Sequence, residues 1–177
     1  AAINQPASTS WRSASLGMVV AGAVEPAHQR RIHRGADGGL TVAGTLTSAV
    51  DPGEGRPGDS VVIARPFGIT FDPAGNPVFV EPDGAIVRRI DRTTGLITTV
   101  AGTGIFGHSG DGGLAINAGM YYPYGLAIDA AGNVVIAAAN DHRIRRVDVA
   151  TGIITTIAGT GTSGFAGDGG PATVVMT

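Results

Sequence analysis

Histidines at positions 28, 33, 108 and 142 are the side chains in this sequence best suited to metal ligation or proton transfer. They fall at neither H-x-x-x-H nor H-E-x-x-H spacing, so no local pair presents two imidazoles on one face. His142, in "NDHRIRRV", stands at the entry to an extended run and reads as a residue that fixes a turn rather than as a ligand or base. His108 occupies the place held by Phe165 in a later, nearly identical stretch, and reads as a surface substitution. Ser109 follows His108, but adjacent residues on a loop do not make a nucleophile and its base, and no G-x-S-x-G is present.

The glycine-saturated stretch "GTSGFAGDGGPAT", residues 161–173, raises phosphate and calcium binding in turn. A P-loop requires a Lys leading into a helix, and an EF-hand requires acidic ligands at alternating positions with a terminal Glu. One Asp per loop, Asp168, meets neither requirement. Because "GIFGHSGDGGLAI" at 104–116 is nearly the same text 57 residues earlier, the loop reads as a connector. Its glycines supply positive φ, and Asp168 is expected to cap neighbouring N–H groups as an Asx turn. In the first copy Glu54 stands at this position, and its extra methylene would close such a local turn less well.

The elements that carry these loops follow from the repeat. Residues Pro66 to Ile116 lie over Pro123 to Thr173 without a gap: "PFGITFDPAGNPVFV" on "PYGLAIDAAGNVVIA", and "RRIDRTTGLITTVAGTG" on "RRVDVATGIITTIAGTG". An earlier, worn copy is marked by "RRIHRGADGGLTVAGT" at 30–45 and "GEGRP" at 53–57, while its front aligns only loosely. The units are 1–59, 60–116 and 117–177 within one domain. Each reads as four short strands, in the second unit Phe67–Asp72, Val78–Glu81, Ile86–Asp91 and Leu96–Gly102, rich in β-branched residues and bounded by Gly, Pro and Asn. "DPAGN", "DRTTG" and "DVATG" have hairpin-turn chemistry, with an Asp to accept backbone N–H groups and a Gly for positive φ. In the pairs Arg88/Arg89 and Arg145/Arg146, one member is expected to enter the gap between units and meet Asp72 or Asp129, and the other to face solvent. Four antiparallel strands of this length make one β-propeller blade, and the fold class is all-β.

Composition agrees and sets outer bounds. The chain has 177 residues, 43% of them hydrophobic, enough for a sizeable core, with 29 Gly and 10 Pro spread along its length to serve many turns. A net charge of -2 supplies no bulk attraction for nucleic acid or anionic membrane. All basic residues are Arg and none is Lys, which with the abundant Ala and Gly reads as a GC-rich coding bias of a bacterial source. No cysteine is present, so disulfides and thiolate chemistry are excluded. No apolar run approaches the length of a membrane-spanning helix. The start "AAINQPAS" reads as a trimmed product, which tilts the expected location to the periplasm or the extracellular space.

The run "NDHRIRRVDVATGIITTIAGTG", with the preceding "YPYGLAIDAAGN", resembles the NHL repeat, a β-propeller blade in which an Asn-His-Leu-like triplet opens the third strand. Asp141, His142 and Arg143 stand at that triplet, and the second copy departs from it with Gly84, Ala85 and Ile86. The resemblance covers the second and third copies fully and the first poorly. It implies a binding or assembly module that recognises a protein or a small ligand, a carbohydrate among them, on the face built from the loops before the first strand and between the second and third. On this chain those loops carry Arg65, Tyr121, Tyr122 and Tyr124 before the first strands, and Glu81, Asp83, Asn140, Asp141 and His142 between the second and third. Aromatics beside hydrogen-bonding groups suit a protein or sugar surface, and the lack of a basic surplus there, three acids against Arg65 and His142, argues against RNA.

A competing implication is a metal-dependent hydrolase or lyase of the six-bladed class, lactonase-like or amidating-lyase-like, with ligands from several blades around the central channel. Here Arg65-Pro66-Phe67 and Tyr122-Pro123-Tyr124 lead into the inner strands, a poor metal cage, so no catalytic residue, metal or cofactor is assigned. A piece of a longer protein without a role of its own is the third reading. Three blades would leave apolar faces in water, about 12 kcal/mol for every ~500 Å² exposed, so the chain is expected to dimerise head to tail into a six-bladed ring.

Overall fold

The computed structural model describes residues 53–165 and 167–174, together with the strands within 9–43. Its strands are β1 (Thr9–Arg12), β2 (Val19–Gly22), β3 (Ile32–His33), β4 (Thr41–Ala43), β5 (Phe67–Phe71), β6 (Pro77–Glu81), β7 (Ile86–Ile90), β8 (Ile97–Ala101), β9 (Pro123–Ile128), β10 (Val134–Ala138), β11 (Arg143–Val147) and β12 (Ile154–Ala158). Only short 3-10 turns accompany them among the described residues, and no described helix is long and apolar enough to cross a membrane. The expected strands of the second unit are present to within a residue at each end. The fold is all-β: β5-β6-β7-β8 and β9-β10-β11-β12 are each a four-stranded antiparallel meander, as propeller blades require. In the worn first unit the four strands form two separate pairs, β1-β2 and β3-β4, instead of one sheet. His28 and Arg30 lie outside the described residues.

The turns carry the expected chemistry and one device beyond it. Asp72 accepts the Asn76 backbone N–H at 2.8 Å and its side-chain amide at 2.7 Å, while the Asn76 side-chain oxygen accepts the Arg92 N–H at 2.9 Å. Asp129, Asn133 and Val149 repeat the set, with 3.0 Å for the last bond. A buried Asn thus staples the first hairpin of each blade to the second. Asp91 and Asp148 each accept two successive N–H groups in the following turn.

The two sheets stack through a shared apolar layer. Val78, Val80 and Val87 of the first sheet meet Ile136, Val147 and Ile154 of the second, with Ala115, Ala118 and Met120 of the connecting segment between them. The opposite face of the first sheet packs Phe79, Ile90 and Ile97 against Val61 and Ile63 of the preceding connector. At the inner strands the backbones approach so closely that a Cβ on Gly68 would lie 2.8 Å from the Tyr124 carbonyl oxygen.

The connectors act as straps between sheets. Residues 103–119 leave β8, and the carbonyl of Ala115 accepts the Gly102 N–H at 2.9 Å on the strap's own blade. The same strap then pairs with the outer strand of the next blade: Gly112 N–H to Ile154 O, 2.8 Å, Ile154 N–H to Gly113 O, 3.0 Å, and Ala115 N–H to Gly152 O, 2.8 Å. Residues 55–58 pair with Gly95 and Ile97 in the same pattern one repeat earlier.

Asp111 therefore does not cap its own loop. Its carboxylate accepts from Arg145 Nη2 at 2.6 Å and Nε at 3.1 Å, and its other oxygen accepts the Thr156 N–H at 3.1 Å. Arg145 is fully buried and also donates to the carbonyls of Gly119 and Ser109, 2.8 Å each. Those bonds hold the Asp111 carboxyl below its ordinary range although its burial acts the other way. In the previous repeat Glu54 accepts from Thr99 Oγ1 and lies close enough to Arg88 to act on its charge. Glu54 thus serves the same latch, and its extra methylene is no defect once the contact is between blades.

The arginine pairs split as expected, but with the partners exchanged. The inward members Arg88 and Arg145 meet Glu81 and Asp111, whereas Asp72 and Asp129 pair with the half-exposed Arg89 and Arg146 at 2.8 and 3.5 Å. Strand alternation accounts for the split: Arg88 pairs in register with the buried Phe79 and Arg145 with the buried Ile136, while Arg89 and Arg146 take the opposite face, and the β-bulges repeated in both sheets place their extra residue on the outer strand, at Val100 and Ile157.

Candidate functional site

At one end of the two sheets the strap and the strand entries bring aromatic rings together. Phe67 and Tyr124 meet edge to face at 5.3 Å between centroids, Tyr124 stacks on Tyr122 at 6.1 Å, and Tyr122 stacks on Phe106 at 4.8 Å. Tyr121 closes the row against Phe106 at 5.8 Å and Tyr122 at 5.6 Å. Phe67, Phe106 and Tyr121 are exposed, a costly arrangement for a surface that recognises nothing. The sequence alone does not single out Phe67 and Phe106, because each reads on its own element as a strand end or a loop residue. Only the 57-residue offset, which brings the strap alongside the next strand entry, exposes the row.

The polar candidates divide. Arg65 and Asp83 form an exposed ion pair at 3.5 Å beside Phe67. Asn140 is exposed in the 3-10 turn Ala139–Asp141. Asp141 is buried and held from two sides, by His108 Nδ1 at 2.8 Å and by Arg143 Nη1 at 2.9 Å. His108 is thus more than a surface substitution: the strap carries it to the loop face, where it orders Asp141. Glu81 is a correction. It is fully buried, accepts the Ala64 N–H at 2.6 Å, and stands 3.5 Å from Arg88, so it cannot present itself to a ligand. Burial pushes its carboxyl up to about 7 against the opposing influence of the Ala64 N–H and Arg88.

His142 is half-buried with φ +47°, in the left-handed region. Ala85, its counterpart, has φ +49°, so the turn into the third strand forms equally well without an imidazole. What the turn demands is close approach: a Cβ on Gly159 would lie 2.1 Å from the His142 carbonyl oxygen, and one on Gly102 would lie 2.2 Å from that of Ala85. Arg65 and Tyr122 are likewise left-handed, at +49° and +47°. Left-handed conformations cost an L-residue about 1–2 kcal/mol each, so the strand entries hold Arg65 and Tyr122 against a local preference.

Among the described residues no three His, Asp or Glu side chains gather as a metal site would require. The arrangement offers a row of rings, some stacked and some edge to face, with donors and acceptors at both ends, suited to ring contact and hydrogen bonding.

No family model matches the chain, and no curated protein matches it. Among solved structures it is similar to a catalytically inactive virginiamycin B lyase from Staphylococcus aureus with quinupristin, at 24% identity over 53% of this chain and 27% of that one, TM-score 0.38. A streptogramin B lyase matches at 15% identity over 55% and 27%, TM-score 0.41. A structural-genomics protein of unknown function from Bacteroides thetaiotaomicron matches at 25% identity over 70% and 28%, TM-score 0.49. The matched stretch is little more than a quarter of each of those chains, and a likeness of this extent transfers no activity.

Proposed function

We propose that the chain is an array of NHL-type propeller blades that works as a binding module, taking a protein or a small ligand such as a carbohydrate on its loop face. The observation that carries this reading is the row Phe67, Tyr124, Tyr122, Phe106 and Tyr121, contributed by both sheets and the strap between them. Rings held on rigid strand entries provide contact area at low entropic cost, and such residues dominate recognition surfaces. The Arg65–Asp83 pair at one end and Asn140 with His142 at the other supply the hydrogen bonds that would fix orientation.

Tyr122 touches three of the other four rings, so Tyr122→Ala is the decisive variant. Immobilised oligosaccharides and peptides are presented to wild type and variant, with melting curves to confirm the fold. Ligands retained by wild type and weakened by roughly thirtyfold in the variant, the scale of an aromatic hot spot, support the reading. A panel on which nothing binds, or on which both proteins bind alike, refutes it. Metal-dependent turnover of lactone or ester substrates would replace it with the hydrolase or lyase reading.

A further inference from the structure

The cluster around Asp141 is a part of the loop face that the fold itself does not require. The preceding blade builds the same turn without it. The 3-10 turns Pro82–Gly84 and Ala139–Asp141 close with matching backbone bonds, Ala85 N–H to the Pro82 carbonyl at 3.1 Å and His142 N–H to the Ala139 carbonyl at 3.2 Å, and each leads into a left-handed residue. Gly84 and Ile86 stand there at the places of Asp141 and Arg143, and Phe165 stands at the place of His108 one repeat on. A buried carboxylate with an imidazole against it is thus an addition to this blade, and burying that charge is unfavourable unless it is held.

The geometry is that of an oriented base. A carboxylate only accepts, so the 2.8 Å contact requires His108 Nδ1 to carry the proton, and the neutral ring keeps its lone pair on Nε2. Asp141 is fixed in turn: Arg143 Nη1 donates to its other oxygen at 2.9 Å, and Arg143 Nη2 is tied to the Thr160 carbonyl at 2.7 Å. The strap is pinned on both sides of the imidazole, by the Gly107 N–H to the Met120 carbonyl at 3.4 Å and by the Gly119 N–H to Ser109 Oγ at 3.0 Å. The carboxylate is 8% exposed and the imidazole 31%, so the open part of the ring is the part turned from Asp141. Two links join this pair to the ring row. Phe106, two residues before His108, stacks on Tyr122, and the Tyr122 carbonyl accepts the Ala139 N–H of the turn that holds Asp141, at 3.3 Å. Ser109 Oγ is engaged with Gly119, and no third metal-ligating side chain joins the pair among the described residues, so water is the nucleophile that such a base would serve.

We propose that His108, oriented by Asp141, is the general base of a metal-independent esterase site at the Tyr122 end of the ring row, with aryl esters as its substrates. The proposal rests on the reading of the row as a binding face, against which the aryl group lies. Water gives a proton to Nε2 as its oxygen bonds to the ester carbonyl carbon. Asp141 keeps its charge and stabilises the imidazolium without taking the proton, and a phenol hydroxyl of the row donates to the carbonyl oxygen as charge gathers there. The bond between the carbonyl carbon and the aryl oxygen then breaks, the imidazolium returns its proton to the departing phenolate, and a carboxylic acid and a phenol leave with the base restored.

Two measurements read the two claims separately: hydrolysis of phenyl acetate at neutral pH with a chelator present, and saturation-transfer NMR with acetanilide, in which an amide replaces the ester. The native chain should turn over phenyl acetate with saturation, and faster by roughly a hundredfold than the same chain unfolded in urea, which offers the same four imidazoles. His108→Gln should lose about that factor in kcat and still bind acetanilide. Asp141→Asn leaves the imidazole in place but unoriented, and should lower kcat with KM unchanged, a split that a merely structural role would not produce. Circular dichroism and melting curves check that each variant is folded. Turnover no faster than that of the unfolded chain overturns the base assignment, and acetanilide bound without turnover leaves the binding face standing. A folded H108Q or D141N that hydrolyses like wild type, or turnover abolished by the chelator, also overturns it.

Discussion

Asp111→Asn separates two physical roles that a loop aspartate can play. An amide oxygen can still accept a backbone N–H, so a residue that merely closed its own turn would tolerate the change. Asp111 instead neutralises Arg145, whose guanidinium is fully buried and, among the described residues, has the Gly119 and Ser109 carbonyls as its other acceptors. Breaking a buried ion pair from one side costs about 3–5 kcal/mol. Asp111 itself is 36% exposed, so solvent screens part of the loss, and the two carbonyls remain. A cost of about 2 kcal/mol is therefore expected, equivalent to roughly 4–8 °C in Tm for a chain of this size.

Thermal melts of wild type, D111N and D111A measure it, with D111N close to D111A. The acid limb gives a second check. The folded-state carboxyl is held below its ordinary value of 3.8, so the contribution is present above that value and is lost as pH falls through the depressed folded pKa. The wild-type and D111N curves should draw together below pH 3.8. A D111N protein within about 0.5 kcal/mol of wild type at neutral pH, the range of an ordinary surface change, would refute the latch.

Two further outcomes test the frame. Glu81 has a folded pKa raised from 4.5 to about 7, so the folded state holds a proton that the unfolded state has released. Stability should fall as pH rises from 4.5 to 7 and then level, and Glu81→Gln should flatten that slope in melts across the same window. Gly102→Ala places a Cβ 2.2 Å from the Ala85 carbonyl oxygen and should cost well over the 1–2 kcal/mol of a left-handed alanine alone, whereas Gly95→Ala, with open space around the same backbone sign, should cost only about that amount. Denaturant unfolding of the two variants distinguishes them, and equal losses would contradict the described approach of Gly102 to the third strand.

The strands and their turns were legible in the sequence because each is specified locally: β-branched runs alternate with "DPAGN" and "DVATG", whose Asp and Gly fix the turn within a few residues. What distance in the chain conceals is which blade a side chain serves. Asp111 and Arg145 are 34 residues apart, and nothing in the loop's own text distinguishes a local cap from a contact with the next sheet. The bulges at Val100 and Ile157 are equally hidden, since an inserted residue shows only against its partner strand. Glu81 was misplaced for a related reason: a carboxylate at a strand end reads as surface until the buried Arg88 opposite it is located. On the loop face Tyr121, Tyr122 and Tyr124 were visible as a cluster in sequence, while Phe67 and Phe106 joined them only through the fold.

Because Glu54 and Asp111 each engage the sheet after their own strap, the array has a direction, and the two described junctions are written in the same grammar. A 57-residue insertion or deletion in register would therefore move whole sentences without splitting one. The straps that carry Glu54 and Asp111 both find a buried arginine ahead of them, and the interchange of Glu54 with Asp111 indicates that the acid's length need not be matched to a particular neighbour. Blade number in such an array is free to change by unequal recombination without a new kind of joint having to arise.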